Sequence, residues 1–183
     1  MYLQSLTTTT LLLPLLLLTS THATSTTPSP NADEFTQLNC PNTTTPTATP
    51  AEQLAAWTTF TNLMYTEHRL TDALSHYVAG KYINHSPLVA GTGVTETAAE
   101  LTNLVPDVTS QLQRAFVGWD AAGNAFGVAH TRVIPNPKED GAEGGESALV
   151  DIIRMVGTCM VEHWDVEQAV GSKGEGGNPI AFF

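Results

Sequence analysis

Ionisable and aromatic side chains crowd one predicted hairpin near the C-terminal end of the chain. Asp151-Ile152-Ile153-Arg154 runs into a Gly157-Thr158 turn, and Val161-Glu162-His163-Trp164-Asp165-Val166-Glu167-Gln168 returns from it. Strands usually alternate apolar and polar residues, with one face in water. Here alternation puts Glu162, Trp164 and Val166 on one face and Val161, His163 and Asp165 on the other. Either face, once buried, carries an ionisable group, and burying one is costly unless it is paired or used. A symmetric hairpin about Gly157-Thr158 sets Ile152 opposite His163 and Asp151 opposite Trp164. Asp151 then shares a face with Ile153, Glu162 and Trp164. Such groups on a sheet face suit acid–base chemistry or ligand binding. Arg154 beside a carboxylate reads as a sheet salt bridge rather than a substrate clamp.

A second segment, Tyr82-Ile83-Asn84-His85-Ser86-Pro87, supplies another histidine between an aromatic residue and a proline turn. It resembles the Y-I-Q-H-N-P box of the SnoaL-like family, in the superfamily named after nuclear transport factor two. Members of that family often end in D-I-F-R…N-G-K-I-V-E-H-W-D-V-x-Q, which residues 151–168 match with the same spacing. The closing Gly177-Asn178-Pro179-Ile180 is similar as well. The chain has Asn84 and Ser86 within the box, and Gly157-Thr158 where Asn-Gly is usual. The resemblance covers roughly residues 50–183. It implies a cone: N-terminal helices packed in a curved antiparallel sheet around one pocket. It assigns Asp165 as acid and base in an aldol-type closure, with His85 at the pocket mouth as donor or proton partner. His163 and Asp151 are further catalytic candidates. Tyr82, Trp164, Glu162 and Phe126 become pocket-lining, substrate-binding candidates. Dimerisation through the sheet face is common in the superfamily, so a homodimer is expected. The fold hosts cyclases, isomerases, hydrolases and plain binding proteins, so the motifs speak for the fold more than for the reaction.

Aldol chemistry needs one group to take a proton alpha to a carbonyl and another to donate to the developing oxyanion. The elements that must position such groups are legible. Ala51 to Glu67 carries Leu54, Trp57, Phe60, Leu63 and Met64 near helical spacing, after Pro50 as a start signal. Residues 71–78 suggest a short second helix. Residues 82–87 are extended, and Thr95 to Leu104 is a third helix stopped before Pro106. Strands follow over 108–119, 125–134, 148–156 and 159–168, with an exposed loop at 135–147. Helices first and strands after is an α+β order.

Leu11 to Leu18 is an apolar run suited to a secretory signal and too short to span a bilayer, and Thr21-His22-Ala23 fits a cleavage site. Residues 1–23 are therefore read as a signal peptide and 24–50, rich in Thr, Pro and Ser, as an extended linker. Residues 51–183 form the domain. In an oxidising compartment the two cysteines, Cys40 and Cys159, are read as one disulfide. Asn42-Thr43-Thr44 is a glycosylation sequon in the tail. Asn84-His85-Ser86 is another, but a glycan there would conflict with a buried His85.

Eighteen acids against seven bases leave a net charge of −11. Phosphate binding needs clustered Lys and Arg, so neither nucleic acid nor an anionic membrane is an expected partner. The histidines form no H-x-x-x-H pair and the cysteines no CxxC, so no metal is expected. No Gly-rich phosphate loop opens a helix and no G-x-S-x-G elbow is present, so no cofactor is expected either. A purely structural cone whose sheet face drives dimerisation is one reading of the sequence, and two functions stand beside it. One is a secreted, cofactor-independent acid–base enzyme acting on a small carbonyl compound by aldol-type cyclisation or isomerisation. The other is a module that binds a small hydrophobic molecule without reaction.

Overall fold

The computed structural model describes residues 32–137, 145–170 and 183. The signal peptide, the first part of the linker, most of the 135–147 loop and the Gly177–Ile180 motif lie outside the described residues.

Helix α1 spans Ala32–Gln37, and α2 spans Pro50–Thr61. Thr49 caps α2 with a reciprocal box. Its hydroxyl accepts from the Glu52 backbone N–H at 3.3 Å, and Glu52 accepts from the Thr49 N–H at 2.7 Å. The helix buries Trp57 and Phe60 and continues into one π turn, Asn62–Thr66, which buries Leu63 and Tyr65. Leu54, expected on the apolar face, is instead in solvent. Gln53 takes the inward position and donates to the Gly157 carbonyl while accepting from the Trp119 indole. Helix α3 (Leu70–Tyr77) leads into strand β1 (Val78–Asn84), which begins earlier than expected. Helix α4 spans Val94–Leu104 and ends at a 3-10 turn, Val105–Asp107.

Strands β2 (Val108–Trp119), β3 (Ala125–Pro135), β4 (Ser147–Val156) and β5 (Cys159–Ala169) are antiparallel neighbours. Strand β1 adds to β5 in parallel, so the five-stranded sheet is mixed, in the order β1-β5-β4-β3-β2. Helix α2 packs on β2 and β3, and α4 packs on β1. The main core lies between these helices and one face of the sheet, called the inner face below. It holds Trp57, Phe60, Leu74, Tyr82, Ile153, Met155 and Met160. Trp57 lies so close to β3 that a Cβ on Gly127 would stand 2.4 Å from its ring. Only glycine lets the indole lie flat there.

The register of the β4–β5 hairpin departs from the symmetric expectation by one residue. Met155 pairs with Met160, but Arg154 pairs with Glu162, so Val161 is an extra, bulged residue. Beyond the bulge Ile153 faces His163, Ile152 faces Trp164 and Asp151 faces Asp165. A one-residue slip moves each side chain to the opposite face relative to its partner strand. Asp151 therefore shares the inner face with His163 and Asp165, and Glu162 and Trp164 stand on the outer face.

Residues 32–49, expected as part of a free linker, dock on the domain. Phe35, Leu38 and Cys40 pack on a second apolar cluster of Ala79, Val156, Cys159 and Val161. The Asn39 and Leu38 carbonyls accept from the Gly80 and Lys81 backbone, and Thr45 exchanges two hydrogen bonds with Thr158. Gly157 turns with φ +59°, and a Cβ there would meet the Thr45 carbonyl at 1.8 Å. Cys40 and Cys159 form the disulfide. The Thr/Pro composition hides this docking because only three side chains, Phe35, Leu38 and Cys40, supply the apolar contact.

Candidate functional site

Strands β1, β4 and β5 bring four of the sequence candidates to the inner face: Asp151, His163, Asp165 and Tyr82. Asp151 is buried, and its side chain retains 9% exposure against 12% for His163. Asp151 Oδ1 lies 2.8 Å from His163 Nε2, and the Tyr65 hydroxyl donates to Asp151 Oδ2 at 2.7 Å. His163 Nδ1 lies 3.1 Å from the side-chain oxygen of Asn84. The Tyr82 ring stacks beside the imidazole, with centroids 6.3 Å apart.

Hydrogen-bond capacity settles where the protons sit. Asn84 Oδ1 also accepts from the Ser86 backbone N–H at 2.8 Å, and Asn84 Nδ2 donates to Thr97 Oγ1 at 3.0 Å. The Thr97 hydroxyl spends its own hydrogen on the Gly93 carbonyl. Asn84 thus presents oxygen, not nitrogen, to His163, so Nδ1 carries a hydrogen. Nε2 and Asp151 Oδ1 then share one further proton. The pair is either imidazolium with carboxylate or two neutral groups, with zero net charge both ways, which limits the penalty of burying it.

Burial first, and then the Asp151 charge, hold the Tyr65 phenol well above its ordinary value, so it remains a donor. Tyr82 is raised for the same leading reason, with Asp151 and Asp165 adding to it. Its ring is buried, and its hydroxyl has no hydrogen-bond partner among the described residues. Asp165, opposite Asp151 and partly exposed, likewise has no hydrogen-bond partner among them. The Thr131 hydroxyl, two residues beyond Ala129 on the same face, is buried without a partner. By strand register no Lys or Arg reaches this face among the described residues. Arg132 pairs with Glu146, Arg154 with Glu162 and Glu34, and Arg69 with Glu67 and Asp72, all outside it.

The Tyr65–Asp151 bond gives a direct stability test. Removing a hydrogen bond to a buried charged group costs about 1.5–3 kcal/mol. Tyr65→Phe is expected to lower the unfolding free energy in urea by that amount. An unchanged midpoint would show that Asp151 does not depend on this donor.

His85, Glu162, Trp164 and Phe126, expected in the pocket, are placed on the outer face. Strand β1 runs parallel to β5 with Asn84 beside His163, so Asn84 takes the inward position and His85 turns out. His85 is 43% exposed in its side chain and stacks on Trp164 at 5.0 Å. Glu162 Oε1 lies 3.0 Å from His85 Nε2, and Glu162 Oε2 accepts from Arg154 Nε at 2.9 Å. Arg154 also donates to Glu34 of α1. Phe126 lies near Trp164, centroids 6.4 Å apart. Sequence reasoning passed over Tyr65, which sits in an apolar helical run, and Asn84, whose neighbour His85 drew attention. A tyrosine in a core run and an amide in the Y-I-N-H-S-P segment were the available signals.

Burial pushes the Glu162 carboxyl up, but hydrogen bonds from His85 and Arg154 outweigh it and hold the group below its ordinary value. A depressed carboxylate contributes stability above its unfolded value, about 4.3, and loses it as pH falls through the lower folded value. Wild type is expected to exceed Glu162→Gln in urea midpoint at neutral pH, with the gap closing from about pH 5 downward. A gap that widens on acidification would contradict the network.

Two open surface depressions, of about 300 and 310 Å³, lie at His68–Asp72 with Thr102–Pro106 and beside Thr43, Glu52 and Thr158. Neither touches the inner-face residues. No group of three or more His, Cys, Asp or Glu among the described residues is arranged to hold a metal ion.

Helices packed on one face of a five-stranded mixed sheet make this an α+β fold, the class expected from the order of its elements. No protein-family model and no curated protein matches the chain. Among solved structures, an NTF2-like protein of unknown function from Mesorhizobium loti is 18% identical with a TM-score of 0.49, over 66% of this chain and 95% of its own. A protein of Acidithiobacillus ferrooxidans, provisionally assigned as a polyketide cyclase, is 18% identical with a TM-score of 0.48, over 62% and 86%. An LEH-like epoxide hydrolase of M. tuberculosis is 15% identical with a TM-score of 0.47, over 65% and 84%. Likeness at this level carries no residue roles.

Proposed function

We propose that this protein is a secreted, cofactor-independent acid–base enzyme acting on a small, neutral, largely apolar carbonyl compound. The reaction is abstraction of a proton alpha to the carbonyl, in an aldol-type cyclisation or an isomerisation. The observation that carries the proposal is an unpartnered carboxylate, Asp165, opposite a buried pair that holds one shared proton, Asp151–His163. Asp165 takes the proton. The Tyr82 hydroxyl, kept protonated by burial, donates to the developing oxyanion. Tyr65 and Asn84 hold the Asp151–His163 pair, which gives its shared proton to the product and regains one from the protonated Asp165. The absence of Lys and Arg from the inner face among the described residues supports a substrate without carboxylate or phosphate.

Secretion is supported by the disulfide and by the apolar N-terminal run. Asn42 is exposed and free to carry a glycan. No helix among the described residues is long and apolar enough to cross a membrane. The outer face exposes Phe116 at 51% and Val166 at 64%, which supports a homodimer that covers the sheet.

The test is deuterium exchange at the alpha carbon of 2-tetralone, a neutral aromatic ketone, followed by proton NMR in heavy water. The protein is expected to accelerate exchange at least about a hundredfold over buffer, the lower range for a positioned general base. Saturable binding of the ketone without accelerated exchange would replace the enzyme with a binding module.

A further inference from the structure

We infer that Asn84 is a positioning residue: it decides which ring nitrogen of His163 carries a fixed hydrogen and so commits the other to the proton shared with Asp151. The inference concerns the same inner site, and only its catalytic consequence rests on the acid–base proposal. Its tautomeric consequence stands apart from any reaction.

A neutral imidazole has one donor and one acceptor nitrogen, and the bond made by one sets the state of the other. Were Asn84 to present its amide nitrogen, Nδ1 would be an acceptor. Nε2 would then hold the ring's single hydrogen and donate it permanently to Asp151. The observed orientation is fixed twice over, by the Ser86 N–H on Oδ1 and by Thr97 Oγ1 on Nδ2. Thr97 is itself buried and anchored to Gly93, the residue preceding α4. Helix α4 thereby sets the protonation pattern of a histidine on β5. With Nδ1–H committed to Asn84, Asp151 and Nε2 hold a proton that either can give up. Asn84 makes no hydrogen bond to Asp151 and acts through the imidazole.

The same commitment makes Asn84 a poor glycan acceptor. Asn84-His85-Ser86 is a complete sequon, yet Asn84 Nδ2, the atom to which a glycan attaches, is bonded to Thr97 on the inner side of β1. In the folded protein this sequon is expected to stay unmodified.

The experiment is ring proton–nitrogen correlation NMR of nitrogen-15 histidine-labelled protein at neutral pH. The spectrum expected of the wild type has a hydrogen on His163 Nδ1. Asn84→Leu is expected to strip that hydrogen and leave Nε2–H alone. Asn84→Asp, which keeps an acceptor oxygen, is expected to restore it. Exchange of 2-tetralone should fall roughly tenfold to a hundredfold in Asn84→Leu and recover in part in Asn84→Asp. A wild-type spectrum with bare Nδ1 and Nε2–H overturns the inference, and it does so even where Asn84→Leu fails to fold. An unchanged His163 tautomer in folded Asn84→Leu also overturns it. The expected tautomers without ketone exchange in any variant would keep the positioning role and remove the enzymatic proposal. Mass spectrometry of the protein secreted from a glycosylating host should find the Asn84 peptide unmodified, and a glycan on it would contradict the inference.

Discussion

Asp165→Asn is expected to abolish exchange of the ketone proton while leaving the protein folded. A positioned general base contributes about 10²- to 10⁴-fold, so the variant should fall to or near the buffer rate. The fold should be spared because Asp165 is partly exposed and makes no hydrogen bond to a described residue. Replacing its carboxylate with an amide of the same shape strands no donor. The urea midpoint should therefore hold as the rate falls. Asp151→Asn is the instructive contrast. It leaves one amide oxygen where Tyr65 and His163 each had a carboxylate oxygen, and sets an amide N–H2 in a buried place against the other, and breaking such a pair costs about 3–5 kcal/mol. Loss of rate without loss of stability thus identifies the base, and loss of both identifies the scaffold. Asp165→Asn with wild-type exchange would remove Asp165 from the mechanism.

The second large effect is expected from the disulfide. Cys40 and Cys159 close a loop of 119 residues. By chain entropy such a crosslink contributes between about 4 and 5 kcal/mol, less where the N-terminal segment is already ordered in the reduced chain. For a domain of this size that corresponds to a fall in Tm of roughly 10–20 °C in the Cys40→Ala, Cys159→Ala double variant. The site should feel the change as well. Val161, the bulged residue, is fully buried in the cluster that Phe35, Leu38 and Cys40 cover. Without the clamp the bulge loses its cover, and the symmetric hairpin register competes with the observed one. The competing register sends His163 and Asp151 to opposite faces. The double variant should accordingly show a weakened His163 Nε2–Asp151 contact in the same imidazole spectrum. A stability loss with the His163 signals unchanged would show that β5 holds its register without the N-terminal segment.

Much of this protein is determined by local sequence. The strands 108–119, 125–135, 147–156 and 159–169 are long alternating runs between Gly, Pro and Asp turns, and their ends fall within a residue or two of expectation. Helix α2 announces itself through Pro50 and the spacing of Trp57, Phe60 and Leu63. Two cysteines in a chain with an apolar N-terminal run suffice to expect the disulfide. The polar content of 151–168 marks where the site lies, because ionisable groups in a strand must face something on either side. What alternation cannot supply is which residue of one strand meets which residue of the next. That was decided by Val161, pushed out of the ladder and buried against a segment about 120 residues away. One extra residue reversed the grouping, joining Asp151 to His163 and Asp165 instead of to Glu162 and Trp164. His85 met the same kind of decision. The parallel pairing of β1 with β5 turned Asn84 inward and His85 outward, and parallel pairing is a long-range choice with no local signature. Period-two patterns are local and readable, whereas register and strand direction are set by contacts between distant parts of the chain, and the proton-sharing pair exists only where those contacts place it.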